Sequence, residues 1–193
     1  MILQSVVANS FRKMLGKVTI NTAKVELTGI ILHPYGNPVT QLSWATADNF
    51  FEQAHDILNQ IHALGYLHRD IKPQNFIWVG DNLHLNDFDL ATTVGEASNV
   101  GFIGGTPKYS SPLLDGAHRY SVGDDIISLV LSTVDLVAPN LLESNSTISK
   151  LKVLDGVLRG TIGTKMLTET FSDELSLQTR IQLGEKIRLI QIH

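Results

Sequence analysis

Asp70, Lys72 and Asn75 stand in the run His68-Arg69-Asp70-Ile71-Lys72-Pro73-Gln74-Asn75, and Asp87 stands in Asn86-Asp87-Phe88-Asp89. Together they supply two carboxylates, an ammonium and a carboxamide. Phosphoryl transfer is one chemistry that needs such groups in one place. It requires an acceptor hydroxyl held in line, a cation near the transferred group and a divalent metal on the phosphates. An Asp, a Lys and an Asn at positions i, i+2 and i+5 could be a chance grouping. What lies between the two runs argues against chance. Phe76-Ile77-Trp78-Val79 reads as a strand, Gly80-Asp81-Asn82 as a turn and Leu83-His84-Leu85 as a second strand.

The first run matches H-R-D-x-K-x-x-N, and the second sits where a D-F-G would stand after such a hairpin. On these residues the chain resembles the large lobe of a eukaryotic-type protein kinase. Gly105-Thr106-Pro107-Lys108-Tyr109-Ser110-Ser111-Pro112 resembles that family's G-T-x-x-Y-x-[AS]-P, the platform that receives the peptide. With Lys72 it points to the serine/threonine branch. The resemblance implies an α+β, protein-kinase-like fold in three parts: a remnant N-terminal lobe of one helix and a β-hairpin over 1–32, a hinge over 33–36, and a mostly helical C-terminal lobe over 37–193. It implies ATP and Mg²⁺ as cofactors and a protein or peptide as substrate or docking partner. By the same resemblance Asp70 orients the acceptor hydroxyl and takes its proton, and Lys72 neutralises charge on the γ-phosphoryl. Asn75 and Asp87 hold Mg²⁺ through oxygen, the ligand atom that ion prefers. The carbonyl of His33 and the N–H of Tyr35 meet the adenine edge; Pro34 has no N–H to donate. Asp125 matches the family's Asp that hydrogen-bonds the catalytic-loop backbone, and it also suits a helix N-terminus.

Several positions depart from the family. Asp89 replaces the glycine after Phe88, and Leu113 replaces the glutamate of A-P-E, leaving Arg159 and Arg180 without an obvious family partner. In an extended segment Asp87 and Asp89 project to one side, where Asp89 either reaches the metal or faces water. The hinge comes at position 33, whereas a complete small lobe needs roughly 65 residues at mean element and connection lengths. No G-x-G-x-x-G precedes it, and Ala23-Lys24 reads as an exposed strand lysine rather than the end of V-A-I-K. Three readings stay open: an ATP- and Mg²⁺-dependent serine/threonine kinase, an impaired pseudokinase acting as a protein-binding module, and a fragment of a full-length kinase.

The remaining elements position these residues. Apolar spacing predicts a helix over 2–15, two strands on either side of Asn21-Thr22, and a helix over 48–64 stopped by Gly65. His55 and His62 lie seven apart on that helix, too far for a metal pair, and read as core-edge or surface residues. Residues 90–104 suit a mobile activation segment in which Thr92, Thr93 and Ser98 are available hydroxyls. A buried helix follows Tyr120, and two more are expected over 150–158 and 172–191. The 193 residues, 43% hydrophobic and 18% charged, suffice for one domain with a core. A formal net charge of −4 gives no reason to expect nucleic acid or an anionic membrane. The absence of Cys excludes disulfides and thiol catalysis. It fits a reducing, intracellular and cytoplasmic setting, as does the lack of a signal peptide or spanning segment. Asn145-Ser146-Thr147 then reads as a plain surface loop, and oligomeric state is open.

Overall fold

In the computed structural model, which describes residues 13–21, 26–97, 105–114, 118–143 and 146–191, two helices carry most of the core. Helix α1 (Trp44–Ala63) buries Phe50, Phe51, Ala54, Ile57, Leu58 and Ile61, the stripe that 3.6-residue periodicity selects. It begins four residues before the expected start because Ser43 caps it, its N–H donating to Thr46 Oγ1 at 3.1 Å. It stops at Gly65, whose φ of +80° is open to glycine without a Cβ clash and whose N–H returns to the His62 carbonyl at 2.9 Å. Each buried Phe ring contributes about 1.5–3 kcal/mol.

The second helix, α3 (Val122–Val137), is enclosed on nearly every side: Ile126, Ile127, Leu129, Val130, Leu131 and Val134 are all fully buried. Two of its buried hydroxyls bond back into the helix, Ser128 Oγ donating to the Asp124 carbonyl and Thr133 Oγ1 to the Leu129 carbonyl, both at 2.9 Å, while Ser132 Oγ reaches the Ile71 carbonyl at 3.4 Å. α1, α4 (Thr147–Leu158) and α5 (Lys165–Glu174) each pack directly on α3, and α6 (Leu177–Gln191) packs on α4.

The single helix expected over 172–191 is two. Leu175 is extended and Ser176 Oγ accepts the Thr179 N–H at 3.1 Å, which starts α6. Phe171, Leu175 and Leu183 are all buried at four-residue multiples, so the apolar pattern runs straight through the break.

Strands are short except for β1 (Lys13–Asn21) and β2 (Glu26–His33), an antiparallel hairpin with a bulge between Met14 and Gly16. This is the expected pair, extended at its start. Residues 13–15 of the expected helix 2–15 are therefore strand, drawn into the ladder across that bulge; the rest of that helix lies outside the described residues. β3 (Asn37–Pro38) pairs with β5 (Phe76–Val79), and β5 with β6 (Asn82–Leu85). β4 (Tyr66–Leu67) pairs with β7 (Thr92–Thr93), which runs into the short α2 (Val94–Ala97). Thr92 and Thr93 are not free hydroxyls here, since both donate to Glu96 Oε2, at 3.1 and 2.9 Å; Ser98 lies outside the described residues. Among the described residues no helix is long and apolar enough to cross a membrane.

Candidate functional site

β4 delivers the chain into His68-Arg69-Asp70, and Asp125 in the first turn of α3 fixes the entry. The His68 N–H donates to Asp125 Oδ2 and the Arg69 N–H to Asp125 Oδ1, each at 2.9 Å. Tyr120 donates its hydroxyl to Oδ1 at 2.7 Å, and His62 Nε2 lies 3.0 Å from Oδ2. Burial alone would raise the Asp125 pKa. The hydrogen bond and charge of His62, with His68 and Tyr120, outweigh it and hold the carboxyl below its usual range. This clamp keeps Arg69 at a φ of +70°, a left-handed conformation costly for any side chain with a Cβ.

His68 joins the two sequence runs. Its Nε2 is 2.9 Å from the Asn86 carbonyl, its ring meets Phe88 edge-on at 4.8 Å, and the Asp70 N–H donates to its Nδ1 at 3.3 Å. Burial lowers its pKa more than the surrounding carboxylates Asp125, Asp70 and Asp87 raise it. The neutral ring with hydrogen on Nε2 satisfies both contacts.

Three side chains converge on Asp70. Lys72 Nζ lies 2.5 Å from Oδ2, Thr106 Oγ1 donates to Oδ1 at 2.8 Å, and Asn75 Nδ2 donates to the main-chain carbonyl at 2.8 Å. Burial works to raise the Asp70 pKa, but hydrogen bonds from Lys72 and Thr106 carry it below the ordinary value, so the group is an ionised acceptor. The Asn86 N–H donates to the Asn75 carbonyl at 2.8 Å, which sets Asp87 beside Asn75. Asp87 has a φ of +62° and an exposed side chain. The segment is therefore not extended there, which removes the premise for Asp87 and Asp89 pointing the same way; Asp89 is also exposed.

Asp87 offers carboxylate oxygens, and Asn75, with Nδ2 committed to Asp70, offers Oδ1. These hard oxygen donors fit Mg²⁺, which is bound through one or two carboxylates plus phosphate oxygens and water. Of the expected nucleotide contacts at the hinge, His33 closes β2 and Tyr35 is 84% exposed.

The segment 105–112 lies over Asp70 through Thr106. It is turned tightly, the Thr106 carbonyl accepting the N–H of Tyr109 and of Ser110 at 3.0 Å. It is pinned to α3 by Asp135, which accepts the Tyr109 hydroxyl at 2.8 Å and pairs with Lys108 at 2.7 Å. Leu113, where the family's glutamate would be, is buried among apolar neighbours. Arg180 donates instead to the carbonyls of Leu175, at 2.9 Å, and Ser172, and Arg159 pairs with Asp155 at 2.8 Å.

Sequence reasoning passed over Thr106 as a partner of Asp70, and His62 and Tyr120 as members of the Asp125 cluster. A signal for His62 was present: a histidine near the apolar face of a helix must find a buried acceptor. Tyr120, next to an acidic helix start, offered a weaker one.

A protein-family model, "Protein kinase domain", matches residues 25–180. Over 89 residues the chain is 37% identical to the mitosis inhibitor protein kinase mik1 of Schizosaccharomyces pombe, covering 46% of this chain and 15% of that protein. Over 86 residues it is 34% identical to the serine/threonine-protein kinase nekl-2 of Caenorhabditis elegans, covering 44% of this chain and 24% of that protein. The matched stretch is thus less than a quarter of either relative's length. Among solved structures, the yeast RNA Pol II CTD kinase CTDK-1 complex superposes with a TM-score of 0.60 at 18% identity, over 81% of this chain and 53% of that one, a likeness of fold. With the catalytic-loop geometry and a family match over most of its length, this chain belongs to the protein kinase domain family.

Proposed function

We propose that the cleft around Asp70 is a site for phosphoryl transfer from ATP to a serine or threonine hydroxyl of a protein or peptide. The observation that carries this reading is the convergence of Lys72, Thr106 and Asn75 on Asp70, with Asp87 tethered alongside. Asp70, ionised and with lone pairs to spare, orients the acceptor hydroxyl and takes its proton. Lys72 places a positive charge where the transferred group passes. Asn75 Oδ1 and the Asp87 carboxylate would hold the metal, and the His33 carbonyl and Tyr35 N–H would meet the adenine edge. Mg²⁺ and ATP, when bound, supply the phosphoryl group and the charge neutralisation it needs. The segment 105–112 receives the peptide. The absence of cysteine supports an intracellular setting.

A second reading, a pseudokinase that docks a protein partner without transfer, draws on Asp89, Leu113 and the 84% exposure of Tyr35. One experiment separates them. On the purified chain, millimolar Mg·ATP at about 100 times its Kd stabilises by about 2.7 kcal/mol, a rise of roughly 5–10 °C in Tm at this size. The transfer reading expects such a rise, lost in Asp87→Asn, and peptide phosphorylation abolished by Asp70→Asn. No rise and no phosphorylation would leave the docking reading.

A further inference from the structure

We propose that Lys150 is a positioning residue that clamps the 105–112 platform over Asp70, a task done in this chain by a lone ammonium reaching up from helix α4. Its side chain is 5% exposed. Nζ donates to the Pro107 carbonyl and the Ser110 carbonyl at 2.9 Å each and to Ser110 Oγ at 3.1 Å, which uses all three of its hydrogens. Ser110 Oγ in turn donates to the Pro107 carbonyl at 3.0 Å, closing a ring around the cation.

Nothing in the helix itself calls for a cation here. Lys150 sits in the first turn of α4, the end where the helix dipole favours negative charge. Burial lowers its pKa, and among the described residues no carboxylate pairs with it. An ammonium held in so unfavourable a place is kept there by the loop it binds. Its two carbonyl partners bracket Lys108 and Tyr109, the pair fixed to Asp135, and the residue just before them is Thr106, bonded to Asp70. The clamp therefore sets the height of the platform above Asp70, at a position where buried Leu113 brings no charge of its own.

The functional half of this inference rests on the phosphoryl-transfer reading, but its test does not. Amide hydrogen exchange, read by mass spectrometry on the full chain without nucleotide, compares wild type with Lys150→Met, which keeps length and removes the donors. Exchange over 105–114 should rise at least tenfold while α1 stays within twofold. Unchanged exchange over 105–114, or equal loosening of α1, overturns the proposal. Should Lys150→Met fail to fold, Lys150→Arg decides: a guanidinium that keeps charge and donors should hold exchange over 105–114 within threefold of wild type, and a tenfold rise overturns the clamp. If the chain proves to phosphorylate peptides, Lys150→Met should raise the peptide KM and leave the Mg·ATP thermal shift intact. Failure of transfer alone leaves the exchange result standing.

Discussion

Asp125 accepts the N–H groups of both His68 and Arg69, one on each carboxylate oxygen and each at 2.9 Å. One buried side chain thus anchors the loop that carries Asp70 to the central helix. Asp125→Ala removes the acceptor shared by the His68 and Arg69 amides, the Tyr120 phenol and His62. It should cost about 3–5 kcal/mol, measured as a lowered urea midpoint with the slope unchanged. Tyr120→Phe removes one donor and leaves the carboxylate its other partners, so about 1 kcal/mol is expected.

His68 makes stability depend on pH. Burial places its folded-state pKa below the unfolded value of about 6.5. Below that value the unfolded chain binds a proton that the folded chain resists, so the contribution is present above about pH 6.5 and is lost as pH falls toward the folded pKa. Denaturant titrations at pH 7.5, 6.5 and 5.5 should show stability declining with acidity. In His68→Asn the decline over this interval should flatten, whatever that variant's absolute stability. Asp70 and Asp125 act in the same direction at lower pH, since their depressed pKa values give stability that is lost below about pH 4.

Thr106 separates transfer from folding. Its hydroxyl donates to Asp70 Oδ1 at 2.8 Å across 36 positions of sequence. Thr106→Val keeps the shape and removes the donor, so the fold should lose about 1 kcal/mol. With Oδ1 freed, Asp70 loses one of the hydrogen bonds that orient it and hold its pKa down, so that pKa should move up. If transfer occurs, kcat should fall about tenfold or more, while the Mg·ATP thermal shift is retained. Single-turnover phosphorylation read beside the melting curve checks both.

The legibility of these residues followed their distance in sequence. Asp70, Lys72 and Asn75 share one loop, and a short hairpin separates them from Asp87, so the resemblance to the family's motifs was enough to group them. Helices α1 and α3 were equally plain because their apolar residues repeat at helical spacing. The pairs that join the segments, Thr106 with Asp70 and His62 with Asp125, link positions far apart, and nothing in the spacing names the partner of either. Lys150 was hidden for a related reason: a lysine in a helical segment reads as solvated, and only the packed loop shows that it is enclosed. The break at Leu175 escaped because burial on both sides of it keeps the same period.

Two glycines set local against tertiary constraint. An added Cβ at Gly65 would meet nothing within 4 Å, but its φ is +80°, so Gly65→Ala should cost about 1 kcal/mol from backbone strain, and Gly65→Asn less. Gly36 is the reverse case. Its Cβ would lie 2.2 Å from the Trp78 carbonyl oxygen and 2.8 Å from Val79 Cγ2, so β5 must shift to admit it. Because β5 also pairs with β6 and leads out of the loop carrying Asn75, that shift propagates toward Asp87. Gly36→Ala should cost about 1–3 kcal/mol, roughly 2–4 °C in Tm per kcal/mol. It should also speed amide exchange at Phe76–Val79, a change that Gly65→Ala leaves absent. Equal exchange in the two variants would mean that the β3–β5 contact is loose enough to absorb a methyl group.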